Sequence, residues 1–284
     1  MCGCPKNITL EKTEEKCILK YSNNSKEVTL NYVINQTERK LDFRVYEPVK
    51  KYLFELPKVI SSTKGKTSIE DFKQRNIEEK VQRNYLFPLV LKIMNKTSDP
   101  EEQVKIAVSL VQNIPYEASK KKFKVFGINQ EFNYSRYPYE TLYENQGVCG
   151  EKSELLAFLL SEMGYSTAIF SYPEQDHEAV GVKCPKKYAL EDTGYCFIET
   201  TRPAIISSSE NVYTSDFFVE NPRVINISSG KPLPNDLEEY EDAKEFDNIM
   251  KSINSKGKIN TFQRNKLSKL VSKYSLKWVE EMIQ

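Results

Sequence analysis

The sequence predicts an α+β fold: a central helix packed on an antiparallel sheet, with a β-rich segment before it and a helical tail after it. Three observations carry this. Apolar and polar residues alternate in "EVTLNYVI" and "KLDFRVYEPV", the two-residue period of half-buried strands. From Ser68 onward the period changes to helical spacing, in "SIEDFKQRNIEEKVQRNYLFPLVLKIM" and "SDPEEQVKIAVSLVQNI". Third, "GVCGEKSELLAFLL" at 147–160 is apolar nearly all round, and a helix of that kind belongs in the middle of a core.

The elements follow in order. Residues 17–60 read as strands, with "SNNSK" and "NQTERK" as turns between them. Ser68, three residues before Asp71, begins the next helix like a capping box, and Pro88 should break or kink it. The following helix starts at a Ser98 or Asp99 cap with Pro100 in first position and acids behind it, and should end before Pro115. Residues 116–142 are irregular and dense in tyrosine, and the run from Tyr134 to Tyr143 hints at an aromatic-walled groove. Gly164 sits where a helix begun near Cys149 would stop. "YSTAIFSY", "HEAVGVKC" and "YCFIETT" are strand-like, with a longer loop between the last two. In the last fifth, acids crowd residues 236–247, and from Lys251 to Lys277 every charge is basic. These read as a pair of amphipathic helices docked by Leu267, Leu270, Val271, Leu276, Trp278 and Met282. The basic stretch is also the one part of the chain suited to touching an anionic surface.

Bulk composition narrows the function. With 41 Lys+Arg against 40 Asp+Glu, nothing global argues for nucleic acid, and no nucleic-acid partner is expected. No apolar run approaches the roughly 20 residues of a membrane helix, and "MCGCPKNITLEKTEEK" lacks the apolar stretch of a signal peptide. As written, the chain reads as soluble and cytoplasmic. It would be exported or lipid-anchored through Cys2 if a precursor segment preceded it, and six Asn-x-Ser/Thr sequons lean mildly that way. Six cysteines are too few for a disulfide scaffold at this length. Cys2, Cys4 and Cys17 lack metal-ligand spacing and a nearby histidine, so they read as unligated thiols. No metal or cofactor is expected.

The chemistry concentrates on Cys149. It falls in the first turn of the apolar helix, where free backbone N–H groups and the helix dipole favour an anion. There a thiol ionises more readily than the ~8.5 of a free cysteine. Gly147 and Gly150 clear space around the sulfur. A nucleophilic thiol needs a base or ion-pair partner, and the chain holds a single histidine, His177, which opens a strand after a polar loop at a rim position. The imidazole needs an orienting group. Glu199, on the strand expected to pair antiparallel with that of His177, is preferred to the flanking Asp176 and Glu178, because adjacent strand residues face opposite ways. Cys184 and Cys196 lie at odd offsets from His177 and Glu199, hence on the other face, as a disulfide in an exported protein or as packing residues in a cytosolic one.

These residues resemble a family. Cys, His and an acid, on a helix start followed by two strands, are similar to the transglutaminase-like (papain-related) superfamily of cysteine peptidases and their kin, closest to its prokaryotic, largely archaeal branch. The resemblance rests on "SLVQNIPYE", "YPYETLYENQGVCGEKSELLAFLLSEMGY", "DHEAVGVKC" and "YCFIETTRP", roughly Val104 to Pro203. The segment before residue 60 resembles the β-rich leader of that branch, and the tail is not covered. The resemblance implies a papain/transglutaminase-like core, with Cys149 as nucleophile, His177 as base and acid, and Glu199 as the orienting carboxylate. Val148 departs from members with an acidic or amide residue there, and Glu199 from the more common Asp. The oxyanion donor would be the Cys149 N–H, with Tyr116 or Gln146 as second candidates. The expected organisation is an N-terminal β-rich segment (1–60), a catalytic domain (61–230, core about 104–203) and a charged helical extension (231–284). The expected activity is thiol-dependent acyl transfer on an amide bond of a protein or peptide substrate, as peptide or isopeptide hydrolysis. The alternatives are a crosslinking transglutaminase and a non-catalytic binding module with the same fold.

Overall fold

The computed structural model describes residues 10–13, 16–19, 24–56, 68–117, 122–124, 131–210 and 220–283. Cys2 and Cys4 fall outside these residues, as does the side chain of Cys17. Strands β1 (Leu10–Thr13) and β2 (Lys16–Leu19) pair antiparallel. Strands β3 (Ser25–Ile34) and β4 (Thr37–Tyr46) form a hairpin in unbroken register from Ser25↔Tyr46 to Ile34↔Thr37. Its two turn residues, Asn35 and Gln36, both take positive φ (49° and 62°), the turn whose twist matches that of the flanking strands. Alternation then does what the pattern requires: Val28, Leu30, Tyr32 and Ile34 are buried with Leu41, Phe43 and Val45. The strands do not continue to residue 60. Helix α1 (Glu47–Glu55) begins where Pro48 presets a first turn, and it buries Val49 and Leu53, one turn apart.

Helix α2 (Ile69–Glu78) opens on the expected capping box, with the Asp71 N–H donating to Ser68 Oγ (3.1 Å) and the Ser68 N–H to Asp71 Oδ2 (3.2 Å). The break expected at Pro88 falls at Glu79 instead, whose carboxylate caps α3 (Lys80–Met94) through the N–H groups of Val81 and Gln82. Pro88 lies inside α3 on its exposed side, where water can serve the orphaned carbonyl, while Leu86, Leu89, Val90 and Ile93 bury the other face. Helix α4 (Pro100–Gln112) starts on an Asp99 cap to the Glu101 N–H (3.0 Å) and stops before Pro115. Short strands β5 (Lys122–Lys124) and β6 (Glu131–Asn133) pair, and α5 (Pro138–Glu144) follows. Tyr134, Tyr137 and Tyr139 are buried. Tyr137 and Tyr139 pack in the apolar core, Tyr134 donates to the Glu140 carboxylate (2.6 Å), and the Tyr139 hydroxyl accepts from the Tyr46 N–H (2.6 Å) to hold the hairpin's end.

Helix α6 (Cys149–Glu162) runs through the centre, with every residue from Glu151 to Leu160 buried, and Gly164 terminates it at φ 86°. It packs on a four-stranded antiparallel sheet ordered β10–β7–β8–β9, with β7 Thr167–Tyr172, β8 His177–Lys183, β9 Tyr195–Ile198 and β10 Arg223–Ser228. The edge strand β10 was not among the expected strands; its apolar core-facing positions reduce to Ile225 and Ile227. Hairpin, helices α1 to α6 and sheet share one apolar core. Cys184 and Cys196 form a disulfide between the end of β8 and the start of β9. The tail comprises three helices, α7 (Glu239–Lys256), α8 (Thr261–Tyr274) and α9 (Lys277–Ile283). Leu267, Leu270, Val271, Leu276 and Val279 are buried with Phe246 and Met250 of α7 in a second cluster, and Trp278 lies half-buried against it. The Met282 side chain lies outside the described residues. The basic residues meet the acidic ones: Lys273 bridges Glu238 and Asp242 (both 2.6 Å), and Lys266 pairs with Glu245. Among the described residues no helix is long and apolar enough to cross a membrane.

Candidate active site

Cys149 is the first residue of α6, and its side chain is buried to 8% exposure. The loop before it is pinned from both sides. Gly147 donates to the Pro115 carbonyl (3.2 Å), and its own carbonyl accepts from the Glu117 N–H (3.1 Å). Behind the loop, the buried Glu151 carboxylate accepts from the Val148 N–H (3.0 Å), the Arg136 N–H (2.8 Å) and the Arg136 guanidinium (2.9 Å). A Cβ at Gly147 would press on Thr141 and Glu151. At Gly150 a Cβ would collide with the Glu178 carboxylate.

Sheet register brings the other two residues together. Val180 pairs with Ile198 and Val182 with Cys196. Continuing that register past the end of β9 sets Glu199 opposite Ala179, one same-face step from His177. The His177 Nε2 lies 3.0 Å from Glu199 Oε2, and Cys149 is close enough to the same ring to favour its charged form. Cys149 Sγ also lies 3.7 Å from the carbonyl of Asp176. The ring is more enclosed than a rim position implied, with 13% of its side chain exposed. Glu178 does not compete for it, because that carboxylate turns to Lys73. Tyr116 is 53% exposed at the bridge to Gly147.

Burial would push His177 towards its neutral form, but the hydrogen bonds and charges of Cys149 and Glu199 outweigh it and push the ring up to about 10. Burial would likewise raise Glu199. The His177 bond, with the Thr201 N–H (2.8 Å) and hydroxyl (2.7 Å) on Oε1, holds its carboxyl below the usual range instead. The arrangement is an enclosed sulfur beside a ring that favours its charged form, at a helix N-terminus whose first N–H groups have no intrahelical acceptor.

Sequence reasoning passed over the groups that hold this geometry. Lys152, fully buried three residues after Cys149, donates to the carbonyls of Gln112 (3.2 Å), Ile114 (2.6 Å) and Thr201 (3.1 Å). Gln112 Nε2 adds bonds to the Glu199 and Ala204 carbonyls (2.9 and 3.1 Å). Together they join the end of α4, the start of α6 and the Glu199 segment. Lys73 of α2 bridges Glu154 (2.8 Å) and Glu178 (2.5 Å). One signal was available: Glu151, Lys152 and Glu154 sit in a helix apolar nearly all round, and buried charges require partners.

Residues 87–215 match the family model of the transglutaminase-like domain. Comparison with curated proteins and with solved structures finds no match. The matched stretch holds Cys149, His177 and Glu199, together with α4 to α6 and the strands β7 to β9. The match supports a place for this stretch of the chain in the transglutaminase-like superfamily.

Proposed function

We propose that the protein is a thiol-dependent acyl-transfer enzyme acting on amide bonds, with Cys149 as nucleophile, His177 as acid and base, and Glu199 as the orienting carboxylate. The observation that carries this is the His177 ring, held at Nε2 by a buried carboxylate 3.0 Å away and raised towards its charged form by Cys149 and Glu199. In the first step the sulfur attacks the amide carbonyl, and negative charge develops on its oxygen. The N–H of Cys149, the first of α6, is positioned to donate to it. His177 gives its proton to the leaving amine, the C–N bond breaks, and a thioester remains. The neutral ring then takes a proton from water as it attacks the thioester, and the C–S bond breaks, releasing the acid and restoring the Cys149 thiolate beside the protonated ring. Hydrolysis of a peptide or isopeptide bond is the net reaction.

Alkylation by iodoacetamide, mapped by peptide mass spectrometry, tests the reading. Cys149 should alkylate faster than Cys2, Cys4 and Cys17, and His177→Ala should raise the pH midpoint of its reaction. Equal labelling of all four cysteines, or a midpoint indifferent to His177, would sink the proposal.

A further inference from the structure

Lys73 belongs to α2, outside the residues that match the family, yet its ammonium is among the most enclosed charges of the molecule. The side chain is 7% exposed and reaches Glu154 Oε1 on α6 and Glu178 Oε2 on β8 at 2.8 and 2.5 Å. Asn76 Nδ2, one turn on, approaches the second oxygen of Glu154 (3.4 Å). Helix α2 is anchored again nearer its start, where Glu70 accepts a forked pair of bonds from Arg223 of β10, each 2.9 Å.

Glu178 is the chain neighbour of His177, and its carboxylate occupies the space over Gly150, the chain neighbour of Cys149. Lys73 Nζ stands 3.4 Å from the point a Gly150 Cβ would take. A side chain on the residue after the sulfur would push the Glu178 carboxylate out of its place beside Lys73. Two carboxylates beside the first turn of α6 would work against a thiolate and against an oxyanion there. One ammonium between them offsets one of those charges and holds both carboxylates in place. We propose that Lys73 is a positioning residue of the active site, recruited from outside the matched residues to seat Glu178 over Gly150 and to offset the negative charge of the carboxylates facing the Cys149 end of α6. This rests on the reading of Cys149 as nucleophile.

The test is the pH profile of Cys149 alkylation in the full chain, with folding followed by circular dichroism. Lys73→Met should raise the midpoint by about one unit, a roughly tenfold slower reaction at pH values below the midpoint, while Lys73→Arg stays near wild type. Glu178→Gln removes a negative charge at the same spot and should move the midpoint down. Opposite shifts from the two variants are what a purely structural contact would not produce. A folded Lys73→Met with the wild-type midpoint, or a shift in the same direction for both variants, overturns the proposal. If Lys73→Met fails to fold, Glu178→Gln decides alone: a lowered midpoint supports it, and an unchanged or raised one overturns it. A wild-type midpoint indifferent to His177 would instead sink the acyl-transfer reading itself.

Discussion

Helix α6 and the α7–α8 pair both carry charges of each sign, and they treat them in opposite ways. In α6, Glu151, Lys152 and Glu154 are 0–1% exposed, and each bonds to a different neighbour: Arg136, three backbone carbonyls and Lys73. Between α7 and α8, Lys266 meets Glu245 with side chains 38% and 33% exposed, and Lys273 meets Asp242 at 24% and 21%. Both regions satisfy their charges, but only in α6 does satisfaction depend on one arrangement of the chain. A buried charge has no water to fall back on. The α6 set therefore specifies where the Cys149 turn, the 112–117 segment and the Glu199 loop sit, whereas the tail's pairs add little beyond solubility.

The sharpest way to break that contrast is Lys152→Met. It removes all three donors to the carbonyls of Gln112, Ile114 and Thr201 and leaves them buried. An unsatisfied buried acceptor costs about 1–3 kcal/mol. A loss of roughly 3 kcal/mol or more in urea-unfolding free energy is expected, and Cys149 alkylation should slow in parallel. A loss below about 1 kcal/mol would show that the lysine is not the hub of these segments.

Titration sharpens it further. His177, raised to about 10, binds its proton more tightly folded than unfolded. Its contribution to stability is complete below about pH 6.5 and is lost as pH rises through about 10. Burial pulls Lys152 down to about 7, so the unfolded chain holds that proton more tightly. This group makes the fold gain stability as pH rises from about 7 towards 10.5. The two slopes oppose each other over one window. In His177→Gln the downward slope is gone, and stability should rise from pH 7 to 10. In His177→Gln/Lys152→Met that rise should vanish. If the single variant shows no rise relative to the double one, Lys152 remains charged in the fold, held by its three carbonyls.

The same contrast explains what could be read without coordinates. The β3–β4 hairpin, the caps at Ser68 and Asp99 and the end of α6 at Gly164 are local, and local chemistry announces them. His177 and Glu199 could be matched because strands have period two and the chain offers one histidine. Helix α1 was hidden inside a strand-like alternation, since "EPVKKYLFE" buries only Val49 and Leu53. Pro88 misled because its effect depends on which side of α3 faces water. Lys73 and Lys152 were illegible for another reason: their partners lie 105 and 49 residues away at Glu178 and Thr201, and no local pattern carries that distance.

The smallest expected effect belongs to the tail, and it is the control the comparison needs. Lys273→Met removes an ammonium that bridges Glu238 and Asp242 across α7 and α8. The side chain is 24% exposed and Glu238 is 68% exposed, so water can replace the lost bonds, and the Tyr274 hydroxyl still donates to Asp242 (2.6 Å). The expected change in unfolding free energy is within about 1 kcal/mol, it should shrink in 0.5 M salt, and Cys149 alkylation should be untouched. Lys152→Met should keep its full penalty in the same salt, because buried carbonyls are not screened. A loss of several kcal/mol from Lys273→Met would mean that α7 and α8 are held by their charges instead of by Phe246, Met250, Leu267 and Leu270, and the distinction between the two regions would fail.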